Sequence, residues 1–302
     1  MDTGIEIDRR LALAGGALFA AGLLGSSQGR AAAAKAESGT ARLDGIDVYY
    51  ELHGGPLGGT AVPLVLLPGG ALTIEIGFTR ELIERFATRA PVIAIELQGH
   101  GHTADRPDKP MSVEQMANDV AGVLDHLGVQ QADLLGHSLG GMVATGVSIL
   151  RPEIVRNVTT LGAPYQLEGF RPDLVELQRN PATTPSPELE KLLPTEADFA
   201  AWRASFDRVA PDATAFDAIL ERLNTMLTTW PGWSREQLAG IRAATLIVVG
   251  DNDYVRIDHA AEVAGLIPNG RLAVLPGTTH LGIVRRDAWY EPMMTALQQA
   301  EI

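Results

Sequence analysis

The chain has 302 residues, of which 46% are hydrophobic and 20% charged, and a formal net charge of −13. That length suits one large α/β domain or two small ones, and that composition excludes a mainly disordered chain. Its acidity repels phosphate backbones and anionic lipid, which makes nucleic acid and membrane surfaces poor partners, and the absence of cysteine excludes disulfides, thiolate catalysis and cysteine-ligated zinc.

At the N-terminus, Arg9-Arg10 precedes an apolar run, Leu11–Leu24, and small residues lead on to Ala34-Lys35-Ala36. The run is shorter than the ~20 residues a membrane-spanning helix needs, so an export signal is expected rather than a stable anchor. Asp2, Glu6 and Asp8 do not suit an ordinary secretory signal. The arginine pair resembles a twin-arginine signal, with Asp8, Leu11 and Ala12 as departures from that pattern. Cleavage after Ala34 or Ala36 fits a small-x-small rule. Residues 1–36 are therefore expected to be removed and the protein to be periplasmic or secreted. A membrane-associated N-terminal helix is the rival reading.

Beyond this segment, strand-like apolar runs alternate with helical patterns, which predicts a doubly wound, mostly parallel sheet with helices on both faces. Ile46–His53 alternates around Val48 and Tyr50 as a partly exposed strand. Val62–Leu67 is a short apolar strand stopped by Pro68-Gly69-Gly70. Glu81–Arg89 has helical spacing, Pro91–Glu96 is a strand, and Val113–Leu127 is an amphipathic helix with Met116, Val120, Val123, Leu124 and Leu127 on one face. Ala132–Gly136, Gly141–Leu150 and Val155–Ala163 read as strand, helix and strand. The alternation breaks over residues 165–240, a Pro-rich and helical stretch that suggests a lid inserted between two strands. Its stripe of Trp202, Phe206, Phe216, Leu220, Leu223, Met226, Trp230 and Trp233 reads mostly as the insert's own packing, with one or two members available to line a pocket. Strands resume at Thr245–Gly250 and Arg271–Leu275, with a helix from Asp258 between them and a helical tail from Trp289.

The strongest chemical signal is Gly136-His137-Ser138-Leu139-Gly140, a G-x-S-x-G sequence between a strand and a helix. A turn that tight leaves no space for side chains at its first and last positions, and it lifts the serine above the sheet edge. A serine hydroxyl is a weak nucleophile and needs a base. Of seven histidines, His280 lies in a loop beyond the strand Arg271–Leu275, at the same carboxyl edge as Ser138. His259 falls inside a helix and reads as a capping or packing residue, and His126 as solvated. The base needs an orienting carboxylate. Asp253 in Gly250-Asp251-Asn252-Asp253 is placed over the sheet edge, with Asp251 as the turn-shaping alternative. Two backbone donors complete the site: Leu139 N–H, next after the nucleophile, and Gly70 N–H in the loop after Val62–Leu67. A metal site on His100-x-His102 lacks a matching carboxylate cluster.

Together these residues resemble the α/β-hydrolase superfamily, over nearly all of residues 41–300. The resemblance rests on the glycine-rich loop at Gly69-Gly70, on Glu96-Leu-Gln-Gly-His-Gly101, on the elbow with Gly141, on Gly250–Asp253 and on Pro276–His280. It implies an eight-stranded, mostly parallel sheet, a helical cap after the sixth strand, and no cofactor. Pro68 stands where the family usually has His, and Glu96 where Asp is common. Ser138 in place of an aspartate disfavours haloalkane dehalogenase and epoxide hydrolase chemistry. The expected activity is hydrolysis of small or medium apolar carboxylic esters or lactones through an acyl-enzyme. A carbon–carbon bond hydrolase and a non-catalytic binding protein on this scaffold are the alternatives. The sequence specifies no oligomeric state.

Overall fold

The computed structural model describes residues 37–299. The segment read as an export signal, residues 1–36, lies outside the described residues. Eight strands form one sheet: β1 (Glu37–Leu43), β2 (Ile46–His53), β3 (Leu64–Leu67), β4 (Val92–Ile95), β5 (Ala132–His137), β6 (Val155–Leu161), β7 (Ala244–Asn252) and β8 (Gly270–Thr279). Their spatial order is β1-β2-β4-β3-β5-β6-β7-β8. β1 pairs with β2 and β2 with β4 in antiparallel fashion, and the other neighbours are parallel.

The helices are α1 (Ile74–Gly77), α2 (Arg80–Ala87), α3 (Val113–His126), α4 (Leu139–Leu150), α5 (Pro172–Arg179), α6 (Pro187–Glu190), α7 (Glu196–Val209), α8 (Phe216–Thr229), α9 (Arg235–Ala239), α10 (Ile257–Leu266) and α11 (Asp287–Gln299). They cover both faces of the sheet, so central strands read as unbroken apolar runs rather than as alternation. In β3, Leu64 and Leu66 enter the core shared with Leu82 and Phe86 of α2 and Tyr290 of α11. Val65 and Leu67 enter the opposite core with Met116 and Val120 of α3 and Val143 of α4. Among the described residues, no helix is long and apolar enough to cross a membrane.

The predicted elements lie where the spacing placed them, with ends displaced by a few residues. β1 is an addition. Its sequence, Glu-Ser-Gly-Thr-Ala-Arg-Leu, carries almost no apolar alternation, because it is an edge strand with only Ala41 buried.

The helical insert runs from a short 3-10 turn at Leu167–Gly169 through α9, between β6 and β7. Most of its aromatic stripe is internal packing: Phe206 lies 5.3 Å from Phe216, and Trp230 stands edge-on to Trp233 at 5.6 Å. Two contacts seat the insert on the sheet domain. Trp233 packs on Gly146 of α4, and its indole N–H donates to the Met142 carbonyl at 3.3 Å. On the other side, Ser205 of α7 meets Thr73 at 2.7 Å and donates to Glu75 at 3.0 Å.

A buried ion pair locks the β1–β2 turn to the loop after β4. Arg106 donates to both oxygens of Asp119 at 2.8 Å, to Gln98 at 2.7 Å, and to the carbonyls of Leu43 and Asp44 at 2.9 Å. Both charged side chains are about 5% exposed or less. Removing one partner strands the other charge in the interior, which typically costs ~3–5 kcal/mol. Arg106→Met is therefore expected to lower the unfolding free energy by about that amount in a denaturant titration. The double variant Arg106→Met/Asp119→Leu should recover most of the loss.

Candidate active site

The site is built on the turn from β5 into α4. Ser138 sits between them with φ +51° and ψ −119°, a conformation that L-residues rarely adopt. Close approach of the backbone explains the glycines around it. A Cβ on Gly136 would lie 2.2 Å from the Gly140 carbonyl oxygen, and one on Gly140 would lie 2.1 Å from that of Leu67. The turn is pinned to the next strand by Ser138 N–H donating to the Leu161 carbonyl at 2.8 Å. α4 begins at Leu139, whose N–H belongs to the first turn and has no acceptor within the helix. The positive end of the helix thus faces the space beside Ser138.

β7 and β8 deliver the other two side chains. His280 follows the last residue of β8, and its Nε2 lies 2.9 Å from Ser138 Oγ. Its Nδ1 lies 2.6 Å from Asp253 Oδ1. With Nδ1–H donating to the carboxylate, Nε2 is free to accept the serine proton. Asp253 also accepts from Val255 N–H at 3.1 Å and Gly250 N–H at 3.3 Å. Burial pushes the Asp253 carboxyl upward, but the adjacent His280 and these hydrogen bonds outweigh it and hold the group below the usual carboxylate range. Asp251 lies elsewhere: it is exposed, and it accepts from Thr278 N–H at 3.0 Å. Of the two aspartates in this turn, only Asp253 reaches His280.

Gly70 lies against Leu139, with a position for Cβ 3.7 Å from the leucine side chain, and both residues line the pocket above Ser138. The loop that carries Gly70 is held by three sets of polar contacts. Leu72 N–H returns to the Gly69 carbonyl at 3.2 Å. Ala71, at φ +63°, donates its N–H to His100 Nε2 at 2.9 Å. Buried Glu96 accepts from Ile74 N–H at 3.1 Å and His102 N–H at 2.6 Å. The residues that depart from the family pattern thus belong to one assembly, since Pro68 packs against Gly77 of α1. His100 also donates from Nδ1 to the Gln98 carbonyl at 2.8 Å, which occupies both ring nitrogens. Among the described residues no cluster of His, Cys, Asp and Glu could hold a metal ion.

Three contributors escaped the sequence reading. Gly162, at φ +59°, leaves room for the Asp253–His280 pair, because a Cβ there would lie 2.9 Å from both partners. Tyr254 stacks on the His280 ring at 4.5 Å and anchors its hydroxyl on the Leu192 carbonyl at 2.7 Å. His137 is the third. It occupies the variable position of the elbow, so only its location could mark it. Its Nε2–H donates to the His280 main-chain carbonyl at 3.0 Å, linking the Ser138 turn to the loop of His280. His259, by contrast, stacks on Tyr165 at 4.6 Å and accepts from the Tyr165 main-chain N–H at 3.3 Å, away from Ser138. His126 is exposed.

The pocket above Ser138 has a volume of about 240 Å³. The sheet edge supplies its floor. The insert supplies walls from Phe170, Leu174, Leu177 and Phe199 and, from the predicted stripe, only Trp202, Leu220 and Leu223. No Lys, Arg, Asp or Glu lines it among the described residues. An electrophilic carbonyl held here meets a hydroxyl with an adjacent base, with backbone N–H groups nearby.

Burial, reinforced by the charge of His280, pushes His137 down to about 3 from an ordinary 6.5. The folded protein therefore refuses a proton that the unfolded chain accepts below about pH 6.5. Stability from this group is complete above that pH and is lost progressively as the pH falls toward 3. Denaturant titrations should show a loss of roughly 2 kcal/mol from His137 between about pH 7 and about pH 5. His137→Asn should be less stable at neutral pH and should shrink the pH-dependent loss by that amount.

The Alpha/beta hydrolase family model matches residues 64–291. RutD of Azorhizobium caulinodans, named as a candidate carbamate hydrolase, is 30% identical over 256 residues, covering 82% of this chain and 94% of the relative. Two solved structures share the fold. The 2-hydroxy-6-oxo-6-phenylhexa-2,4-dienoate hydrolase of Rhodococcus sp. strain RHA1 superposes with a TM-score of 0.68 at 20% identity, over 88% of this chain and 99% of that one. Est816, described as an N-acyl homoserine lactone degrading enzyme, gives 0.63 at 23% identity, over 85% and 99%. With a G-x-S-x-G turn between strand and helix, an eight-stranded mostly parallel sheet and a family match over most of its length, this chain belongs to the alpha/beta hydrolase family.

Proposed function

We propose that the protein is a serine hydrolase of carboxylic esters or lactones with neutral, largely apolar bodies. The observation that carries this reading is the continuous line from buried Asp253 through His280 to Ser138, opening into an uncharged apolar pocket. In this mechanism Ser138 Oγ attacks the acyl carbonyl while His280 Nε2 takes its proton. Asp253 fixes the His280 tautomer and stabilises the imidazolium. The N–H groups of Leu139 and Gly70 bind the developing oxyanion. His280 returns the proton to the leaving alcohol, then activates water, which releases the acid from the acyl-enzyme. The insert acts as the lid that excludes bulk water.

The pocket's neutrality favours esters and lactones over dienoates. A substrate carboxylate taken into apolar walls needs a cationic partner, and no such side chain lines the pocket among the described residues. A binding protein would have no use for a strained serine held against a histidine–carboxylate pair. A carbamate, the substrate class named for RutD, presents a similar carbonyl to Ser138 and belongs in the same assay panel. Export through the Arg9-Arg10 pair is part of this reading, placing the mature protein in the periplasm or outside the cell. Changing both arginines to lysine should hold it in the cytoplasm, and cell fractionation with unchanged export would reject that route.

A fluorophosphonate probe tests the nucleophile, since only an activated hydroxyl attacks it quickly. The adduct should map by mass spectrometry to Ser138, and Ser138→Ala and His280→Ala should both abolish labelling and ester hydrolysis. Asp253→Asn should slow turnover by orders of magnitude, up to ~10⁴-fold in well-studied triads, and Asp251→Asn by far less. An adduct on another residue, or full turnover by Ser138→Ala, overturns the assignment.

A further inference from the structure

Tyr254 follows directly on Asp253 and touches both His280 and the insert. Its ring stacks on the imidazole with centroids 4.5 Å apart and planes 29° from parallel. His137 also approaches that imidazole, but at 5.0 Å and a tilt of 45°. Hydrogen bonds to Asp253 and Ser138 hold the two ring nitrogens in the free protein. Once Ser138 Oγ carries an acyl group, Nε2 loses that partner and only the Nδ1 bond remains. The torsion that swings an imidazole is intrinsically broad, so contact on the ring's face has to set its plane at that stage. The far end of Tyr254 reaches the insert. Its hydroxyl donates to the Leu192 carbonyl at 2.7 Å, in the segment between α6 and α7. Burial pushes that hydroxyl well above its ordinary pKa, so it stays a donor. Leu189 and Leu193, which flank the carbonyl in sequence, are fully buried, and Pro194 lines the pocket with Tyr254. Two main-chain bonds tie the same stretch to the start of the insert: Arg171 N–H to the Tyr254 carbonyl at 2.8 Å, and Arg256 N–H to the Gly169 carbonyl at 2.9 Å.

We infer that Tyr254 is a positioning residue that sets the plane of the His280 ring and makes that setting depend on how the insert is seated at Leu192. Two properties of one side chain carry this. The ring face touches the imidazole, the hydroxyl touches the insert, and no rotatable bond lies between them. Phenylalanine would present the same face and need no partner in the interior, so the hydroxyl adds only the tie. The insert thereby does more than wall the pocket. When the Leu192 segment is displaced, the ring that steadies His280 loses its anchor. This inference rests on the serine-hydrolase reading for the role of His280 as base, but not for the contacts that hold its ring.

Turnover is measured on whichever nitrophenyl ester of a chain-length series the wild type cleaves fastest. Tyr254→Leu, which removes the ring face, should lower kcat by about ten- to a hundredfold, as expected for a misplaced catalytic group, and change KM less. Tyr254→Phe keeps the face and should restore most of the loss. Wild-type kcat in Tyr254→Leu, or Tyr254→Phe as slow as Tyr254→Leu, overturns the inference. Tyr254→Met decides the same point if the leucine variant does not fold. Leu193→Ala, which loosens the segment from its buried seat, tests the dependence on the insert. It should lower kcat in the wild type and do so much less in Tyr254→Phe; equal factors in both backgrounds overturn the dependence. A further readout needs no substrate. The proton between His280 Nδ1 and Asp253 gives a far-downfield proton NMR signal, assigned by its loss in His280→Ala. The signal should persist in Tyr254→Phe and broaden or vanish in Tyr254→Leu, because a swinging ring lets that proton exchange with water. A signal unchanged in Tyr254→Leu overturns the inference, whatever the turnover. The expected loss in a protein that cleaves no ester upholds it and counts against the hydrolase reading alone.

Discussion

The conformation of Ser138 is the constraint on which the rest of the structure depends. A positive φ at a non-glycine residue is unfavourable by itself and persists only where surrounding contacts determine it. Here the determinants come from three directions. β3 approaches so closely that Gly140 has no space for a side chain, β6 accepts the Ser138 N–H, and α4 starts at the next residue. Each depends on its neighbour's place in the sheet. The order β3-β5-β6 at the centre is thus a requirement of the turn as much as a consequence of hydrophobic burial.

Around that turn, buried polar groups position backbone more than they perform chemistry. Glu96, His100 and Arg106 lie in or just after the loop that leaves β4, and all three bond main-chain atoms of other segments. Through His100 and Glu96, this loop shapes the segment that carries Gly70. His137 does the same for the loop of His280. Burial is what suits these groups to the task, because a desolvated polar atom has few alternative partners and holds the one it has. His137 is also kept neutral at ordinary pH, so it adds no charge beside the His280 ring.

The insert contributes a different kind of chemistry. In the proposed mechanism the sheet edge supplies Ser138, His280 and the backbone donors, whereas the insert supplies most of the apolar walls. The Ser138 site and the walls above it thus come from separate parts of the chain, joined at Trp233 and at the Thr73–Ser205–Glu75 contact. Such a division lets pocket walls vary while the elbow keeps its geometry.

Much of this was legible in the sequence, for local reasons. The alternation of apolar runs with helical spacing reveals a doubly wound sheet, because strands covered on both faces must be apolar throughout. Gly136-x-Ser138-x-Gly140 reveals the elbow, because steric exclusion acts between residues close in the chain. Chain order then points to His280 and to the turn containing Asp253. Other features exist only in three dimensions. Edge strand β1 has too little burial to leave a pattern. The choice between Asp251 and Asp253 is made by where a register shift between β7 and β8 places each carboxylate relative to His280. Gly162, Tyr254 and His137 matter because strands distant in sequence bring them to one ring. Part of the pocket's uncharged wall arises from packing α5 against α8, and spacing within either helix records only which side faces inward. Short-range sterics and periodicity determined the fold and the turn that carries Ser138; the environment of each polar group was decided by contacts between segments that no local pattern encodes.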